Sequence, residues 1–269
     1  AEKDDRAISL ELLELIKAEQ KRRELESGLR FWDIFRRDQL ERTMVSGLIF
    51  SLNQVSGIIL STTFSALFLT QLGVADPFLL NVASSLCQFA GAIAAPLVVD
   101  RIGRRPLALG GISILAVIDF VAGALAFYTS PARPQSATTI AALSFIFNFF
   151  WTASFYAISL LIPSEYPAPQ LRARTMSYAI FNGQLTAVVT TFVVPQLTSA
   201  DAAALGAKTY LIFGGVCVIV VALAWVYLPE TAGRTTREIE ELYRRKIPKR
   251  KWKEEVVREE EEEVEVRER

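Results

Sequence analysis

The sequence contains no histidine, only two cysteines and, over residues 43–228, very little charge. Without histidine the chain lacks the most common general base near neutral pH and the commonest metal ligand. Cys87 and Cys217 each lie inside an apolar run, which favours buried packing over a disulfide, a metal site or a catalytic thiol. These absences argue against an enzyme, and we expect no catalytic residue, no cofactor and no metal site.

Charge is concentrated at the two ends of the chain. Residues 1–42 and 229–269 hold 22 of the 29 Lys and Arg and 24 of the 29 Asp and Glu. A water-soluble domain as long as residues 43–228 would need far more charge on its surface. We therefore predict a membrane domain at 43–228, a cytoplasmic amphipathic helical segment at 1–42 and a charged cytoplasmic tail at 229–269. No nucleic-acid partner is expected.

Six stretches are apolar enough to cross a lipid bilayer, which takes about 20 residues each. Backbone polar groups in lipid must be paired internally, so these stretches are expected to be helices and the fold an all-α membrane protein. The six predicted spans are roughly Met44–Leu72, Pro77–Val99, Pro106–Tyr128, Ala137–Ile162, Thr175–Leu197 and Thr209–Leu228.

The distribution of basic residues predicts the orientation. With six spans, both termini lie on the same side as the loops at 100–105 and 163–174. That side holds 27 of the 29 Lys and Arg, and only Arg133 and Lys208 fall on the other. Since Lys and Arg are enriched in cytoplasmic loops, both termini are predicted to be cytoplasmic.

Three polar segments lie outside the spans, and the last two of them overlap. Residues 8–27 place Ile8, Leu12, Leu15 and Ile16 at helical spacing, which predicts an amphipathic surface helix. Residues 249–269 form a charge run that is typical of a solvated helix or a disordered tail. The basic stretch at 244–253 has the composition of segments that touch anionic lipid, although such residues are common beside membranes.

Several motifs occur in a recognisable order. "LNQVSG" lies in the first span, "DRIGRRP" follows the second, "PSEYPAPQLRART" the fourth and "LPETAGRTTREIEELY" the sixth. Over residues 31–245 this order resembles the C-terminal half of sugar porters of the major facilitator superfamily, and most of all fungal hexose and maltose-type permeases. The resemblance implies six helices arranged as a 3+3 inverted repeat, forming one half of a twelve-helix transporter with substrate bound between the halves.

The resemblance also implies a set of substrate-binding residues. Asn53 and Gln54 match a polar pair that binds sugar hydroxyls, and an amide can both donate and accept the hydrogen bonds that a hydroxyl requires. The other candidates are an aromatic residue of the fourth span and polar residues of the fifth: Tyr156, Asn182, Gln184 and Thr186. The alternative is that each polar side chain only joins neighbouring helices by hydrogen bonds.

In similar transporters the charged turns form a cytoplasmic ion-pair network that locks the outward-facing state. Asp100 is expected near the N-terminus of a helix starting at Arg174, a favourable charge–dipole contact. The full candidate network is Asp100, Arg101, Gly103, Arg104, Arg105, Glu165, Arg172, Arg174, Glu230 and Arg234, with Glu165 and Glu230 as partners for Arg104 and Arg105. The alternative is that the arginines only fix topology.

Asp119 is the one acidic residue near the middle of a span. An ionisable side chain at that depth costs roughly 2.5–3.5 kcal/mol on insertion scales, so a function is the default hypothesis. Proton coupling is one possibility, and a protonated acid bonded to a neighbouring helix is the other.

The sequence departs from the family pattern at two informative places. Thr152 and Ala153 stand where the family has glycine and proline breaks, which predicts the loss of a hinge. Leu161 replaces a glutamate of the ion-pair network, so Glu165 would have to substitute for it.

The function expected from the resemblance is transport of a hexose or α-glucoside by alternating access in the plasma membrane. The expected partners are the sugar, the bilayer, and an N-terminal six-helix half or a second copy of the chain. The alternatives are a non-transporting sugar sensor or receptor, and an inactive truncated remnant.

Overall fold

The computed structural model describes residues 28–64, 76–128, 134–198 and 205–252, together with Ile16, Gln20 and Ala203. The rest of the amphipathic helix predicted at 8–27 and the tail beyond residue 252 lie outside the described residues.

All regular structure in the described ranges is helical. The helices are α1 (Leu40–Val55), α2 (Pro77–Ile102), α3 (Arg104–Leu125), α4 (Pro134–Phe150), α5 (Ala157–Glu165), α6 (Arg172–Thr198), α7 (Thr209–Tyr227) and α8 (Thr236–Arg244). A π-helical segment at Leu60–Phe64 follows α1, and another at Trp151–Tyr156 joins α4 to α5. Six helices are long and apolar enough to cross a membrane, which confirms the six predicted spans.

The first span begins earlier than predicted. It starts at Leu40 rather than Met44, and it therefore includes Arg42, which is 1% exposed. The chain accommodates this charge because the Glu240 carboxylate lies 2.6 Å from the Arg42 guanidinium and the ring of Tyr243 lies 3.8 Å from it. An opposite charge and an aromatic face together offset the loss of water.

The packing of the spans follows an internal repeat. α1 packs along α6, α2 packs against α4 and its π-helical continuation, and α3 packs along α7. When the first, second and third spans are exchanged with the fourth, fifth and sixth, the contact between the first and fifth spans (α1 and α6) corresponds to the contact between the fourth and second spans (α4 and α2). The contact between the third and sixth spans (α3 and α7) corresponds to itself. This is the pattern expected of a 3+3 repeat.

One end of the bundle carries most of the described charge. This charged end comprises the α2–α3 turn, the α5–α6 loop and residues 228–252. Here α8 begins with a capping box between Thr235 and Glu238 and buries Ile239 and Leu242 against the bundle. Trp252 is also buried, at 1% exposure, so the charge run predicted as solvated or disordered is packed at its first residues. The reason is that the Trp252 indole donates to the Ile247 carbonyl at 2.9 Å and lies beside the ring of Tyr166.

Glycines let α2 and α3 approach the fourth span closely. A Cβ on Gly91 would lie 2.6 Å from the Phe149 carbonyl oxygen, and one on Gly111 would lie 2.1 Å from the Ser154 hydroxyl oxygen. Small residues at such crossings are the usual means of close helix packing in membranes. Gly110, the immediate neighbour of Gly111, faces open space instead.

The two neighbouring glycines of α3 allow a matched test. We expect Gly111→Ala to destabilise the folded chain by about 1–3 kcal/mol because the new methyl group overlaps Ser154. Gly110→Ala should leave stability unchanged or raise it, since alanine is the better helix former. Thermal unfolding of the two variants in one detergent measures the difference, and equal midpoints would contradict the packing described above.

Candidate functional site

Two helix irregularities occupy corresponding positions in the repeat. The first follows α1, where Gly57 takes a φ of +94°, and continues into the π-helical segment Leu60–Phe64. The second is Trp151–Tyr156, in the fourth span. The first and fourth spans are equivalent under the repeat. Interrupted helices at equivalent positions are the best structural indication of a binding site in transporters of this construction.

Side-chain hydroxyls bond to the backbone within the second irregularity. Thr152 donates to the Asn148 carbonyl at 2.9 Å, and Ser154 donates to the Phe150 carbonyl at 2.6 Å. Such bonds compete with the backbone ladder and often bend a helix. The sequence predicted the loss of a hinge at Thr152 and Ala153, but the structure has an irregular helix there without glycine or proline.

Asn53 lies near the end of α1, shortly before the first irregular segment, and contacts the second through Trp151. It is fully buried, and neither its amide nitrogen nor its amide oxygen has a hydrogen-bond partner among the described residues. Its backbone carbonyl accepts from the indole of Trp151 at 3.4 Å and from the hydroxyl of Ser56 at 2.8 Å. Buried polar groups are nearly always paired, so an unpaired amide here is available for a polar ligand.

An aromatic surface stands beside Asn53. Trp151 and Tyr156 stack with their ring centroids 4.9 Å apart and their planes at 26°. Tyr156 is 36% exposed. The structure thus brings the predicted residues Asn53 and Tyr156 into contact with Trp151, which sequence reasoning missed. The available signal was the run of aromatics in "FFWTASFY".

The remaining predicted substrate residues do not all join this group. Gln54 is partly buried next to Asn53. Asn182 lies at the α1–α6 contact, where its amide nitrogen is 3.3 Å from the position of a Cβ on Gly47. Thr186 donates to the Asn182 carbonyl at 2.9 Å, and Gln184 is exposed. No hydrogen bond among the described residues joins the α6 side chains to Asn53.

Glu230 is the centre of the charged end. Its carboxylate accepts the backbone N–H of Arg104 at 3.0 Å, of Arg105 at 3.2 Å and of Ala232 at 3.0 Å. The first two N–H groups lie at the N-terminus of α3 and have no acceptor within the helix. A negative charge at this position is also favoured by the helix dipole. Gly103 allows this approach because its φ is +96° and a Cβ would lie 2.9 Å from Glu230 Oε2.

Arg104 connects three segments of the charged end. Its guanidinium lies 3.1 Å from Glu165 and 3.4 Å from Asp100, and Glu165 also accepts from the Thr231 hydroxyl. Glu165 therefore provides a carboxylate although Leu161 replaces the family's glutamate. Asp100 contacts Arg104 on its own side of the turn, and the carboxylate that accepts from the start of a helix is Glu230. The expected position of Asp100 near the start of α6 stays a prediction.

The other predicted network residues lie around these contacts. Arg172 donates to the Thr236 hydroxyl at 3.3 Å, and Arg174 donates to the Leu29 carbonyl at 3.0 Å. Arg234 contacts Glu238 and the Trp252 carbonyl, whereas Arg101 is exposed.

Sequence reasoning missed a second charged cluster in the same region. Arg42 lies near the rings of Tyr243 and Tyr166, and it pairs with Glu240. Burial raises the pKa of the Tyr166 phenol well above its ordinary value, because water is excluded from the phenolate. The cluster was missed because Arg42 was assigned to the polar N-terminal segment.

Asp119 is fully buried beside the first irregularity. Its Oδ2 lies 3.9 Å from the thiol of Cys217, and Gly57 and Gly214 allow the close approach of the neighbouring helices. Its Oδ1 has no partner within the described ranges. The proton-coupling role of Asp119 stays a prediction.

The cap that Glu230 forms can be tested by a single change. We expect Glu230→Gln to destabilise the folded chain by about 1–2 kcal/mol, because an amide carries no charge and has one acceptor atom fewer for the N-terminus of α3. Glu241→Gln is the control, because among the described residues Glu241 pairs with the exposed Arg244 and Arg245, and its loss should have a smaller effect. Unfolding midpoints that shift equally would contradict the central position of Glu230.

Several known proteins are similar to this chain. Residues 2–243 match the profile of the family described as "Sugar (and other) transporter". The general alpha-glucoside permease of Saccharomyces cerevisiae is 28% identical over 260 residues, covering 96% of this chain and 41% of the permease. The maltose permease MAL31 of the same organism is 30% identical, covering 68% of this chain and 27% of that protein. The chain thus spans about two fifths or less of the length of these relatives.

A solved structure supports the fold independently. A double Trp mutant of XylE aligns with a TM-score of 0.67 over 76% of this chain and 43% of its own, at 19% identity. The likeness shows a major-facilitator fold, in which the six described spans correspond to part of the larger protein. The six apolar helices and the permease relatives make this an integral membrane protein. The chain belongs to the family of sugar (and other) transporters.

Proposed function

We propose that the chain supplies the C-terminal wall of a transporter that moves a hexose or an α-glucoside by alternating access. The observation that carries the proposal is the pair of irregular segments in equivalent spans, with the buried, unpaired amide of Asn53 in the first span and the stacked rings of Trp151 and Tyr156 in the fourth, joined by the hydrogen bond from the Trp151 indole to the Asn53 backbone carbonyl. An amide that can donate and accept, together with an aromatic face, is the chemistry that a sugar ring requires.

The proposed substrate class follows the relatives, which are named as an alpha-glucoside permease and a maltose permease. Asn53, Gln54 and Tyr156 are the first candidates for contact with the sugar, and the α6 group of Asn182, Gln184 and Thr186 is the second. A sensor is not favoured, because the family that the chain matches is described as one of transporters and the two relatives described above are named as permeases.

The proposed partner is an N-terminal six-helix half or a second copy of the chain. Two helices of the bundle support it, because α2 and α6 present large apolar side chains outward, among them Phe89 at 65% exposure and Phe192 at 74%. These helices are equivalent under the repeat, so a second six-helix bundle could cover both. Lipid alone would cover them in the isolated chain.

The charged end is proposed to face the cytoplasm of a plasma-membrane protein and to act as a gate. Its basic residues satisfy the positive-inside rule. The ion pair of Arg104 with Glu165 joins the third and fourth spans and so links the two repeats, whereas Asp100 and Arg104 belong to the same repeat. In this proposal the ion pairs hold the charged end of the half in one conformation and loosen when the half moves against its partner half, which is the motion that alternating access requires.

Sugar uptake tests the proposal directly. The chain is produced alone or beside an N-terminal half from a maltose permease, in cells that lack their own sugar porters, and uptake of labelled glucose and maltose is measured. We expect uptake with the partner and its loss in Asn53→Ala. Asn81→Ala is the control, because Asn81 is an exposed asparagine near the start of α2. No uptake despite stable membrane insertion would contradict the transport function.

The two hypotheses for Asp119 make different predictions for the same assay. If Asp119 couples protons, Asp119→Asn should retain uptake down a sugar gradient but lose its stimulation by an inward proton gradient. If the acid only joins helices, Asp119→Asn should not change how uptake responds to the proton gradient. Uptake measured with and without the imposed pH difference separates the two.

A further inference from the structure

A cavity of about 1060 Å³ opens at the charged end, away from the candidate sugar site. It lies between the start of α1, the end of α7 and the segment that follows α8. Its ionisable lining comprises five basic and three acidic residues: Arg37, Arg244, Lys246, Lys249 and Arg250, and Asp38, Glu41 and Glu240. The volume is just above the usual range of small-molecule sites, roughly 300–1,000 Å³.

The positive charge of this cavity is in excess and largely unpaired. Glu41 is paired with Lys249, and Glu240 is paired with the buried Arg42 behind it. By contrast, Arg37, Lys246 and Arg250 make no ion pair in the described part of the chain. The cavity therefore favours an anionic ligand.

Lys246 is held in an unusual backbone conformation. Its φ is +54°, and its N–H bonds to the Tyr243 carbonyl while the next N–H bonds to the Leu242 carbonyl. This is the left-handed position just after a helix, which normally takes glycine. A lysine at this position keeps a positive charge at the mouth of the cavity at the expense of local backbone stability.

The rim of the cavity lies where the last span ends. Val226 and Tyr227 line it, and the neighbouring Trp225 is 52% exposed. Exposed aromatic residues in the last turn of a span are typical of the headgroup level of a membrane. The guanidiniums of Arg105 and Arg250 each lie 5.6 Å from the centroid of the Trp225 ring, so both cations lie beside the same indole at this boundary.

We propose that this cavity binds the headgroup of an anionic phospholipid from the leaflet at the charged end. The phosphate contacts Arg37, Lys246 and Arg250, and the acyl chains run along the exposed apolar face of α7. Basic cavities beside membrane helices bind such headgroups, and the cytoplasmic leaflet, which this end faces in the proposed orientation, is the anionic one. The apolar rim favours a lipid over a free phosphate ion. The proposal requires the membrane insertion of the six helices but not sugar transport.

Ligand-dependent unfolding of the purified full chain tests the proposal. Dioctanoyl phosphatidylserine, dioctanoyl phosphatidylcholine and inorganic phosphate are titrated separately in detergent, and the unfolding midpoint is recorded. We expect a saturable rise with phosphatidylserine and none with phosphatidylcholine. An equal rise with inorganic phosphate would overturn the lipid assignment in favour of a free anion, and no rise with phosphatidylserine would overturn the site.

Matched variants locate the effect. Arg37→Gln with Arg250→Gln should weaken the apparent affinity for phosphatidylserine by roughly fivefold per cation removed. Arg36→Gln with Arg237→Gln removes the same charge from exposed positions outside the cavity and should leave the affinity nearly unchanged. Equal losses in the two double variants would show a nonspecific charge effect and overturn the site.

Lys246→Gly separates ligand binding from folding. Glycine relieves the left-handed backbone, so this variant should unfold at a higher temperature than the parent without lipid. It should nevertheless bind phosphatidylserine roughly fivefold more weakly. Unchanged lipid affinity in this more stable variant would contradict the role of Lys246.

Discussion

The hydrogen bonds that the Glu230 carboxylate accepts from the start of α3 are the contact on which the charged end depends. α3 begins directly after the tight turn that joins it to α2, and no side chain caps its N-terminus. Its first N–H groups therefore need an acceptor from elsewhere. Glu230 supplies one from the segment after α7 and thereby fixes the path of residues 228–252 across the end of the bundle. α8, the Arg42 cluster and the basic cavity all follow from that path.

The sequence predicted the six spans, the equivalence of the two repeats and the family correctly, because each depends on long patterns. Hydropathy over about 20 residues identifies a span whatever its neighbours are. The sequence also allowed the prediction that Glu165 and Glu230 lie beside Arg104, since few carboxylates lie on that side of the membrane. It did not allow the prediction that Arg42 and Trp252 are buried, because a short charged stretch gives no sign of the aromatic and carboxylate partners that other segments bring to it.

The second irregular helix shows a different limit of sequence reasoning. Thr152 and Ala153 lack the glycine and proline that mark a hinge, yet an irregular helix lies at the same place, where hydroxyl groups bond to the backbone and Gly91 and Gly111 pack closely. The indole of Trp151 in this segment donates to the Asn53 carbonyl, a contact that the sequence pattern did not indicate.

α3 connects the candidate sugar site to the charged end. Its N-terminus is held by Glu230, its glycine face contacts the irregular part of the fourth span at Ser154, and Asp119 approaches the irregular part of the first span at Gly57. A helix that contacts both irregular segments and the ion pairs is suited to transmit a conformational change between the candidate sugar site and the charged end. Such transmission requires an element that can adopt two conformations. The irregular segments are the natural candidates, because their backbone hydrogen bonds can shift register without exposing polar groups to lipid.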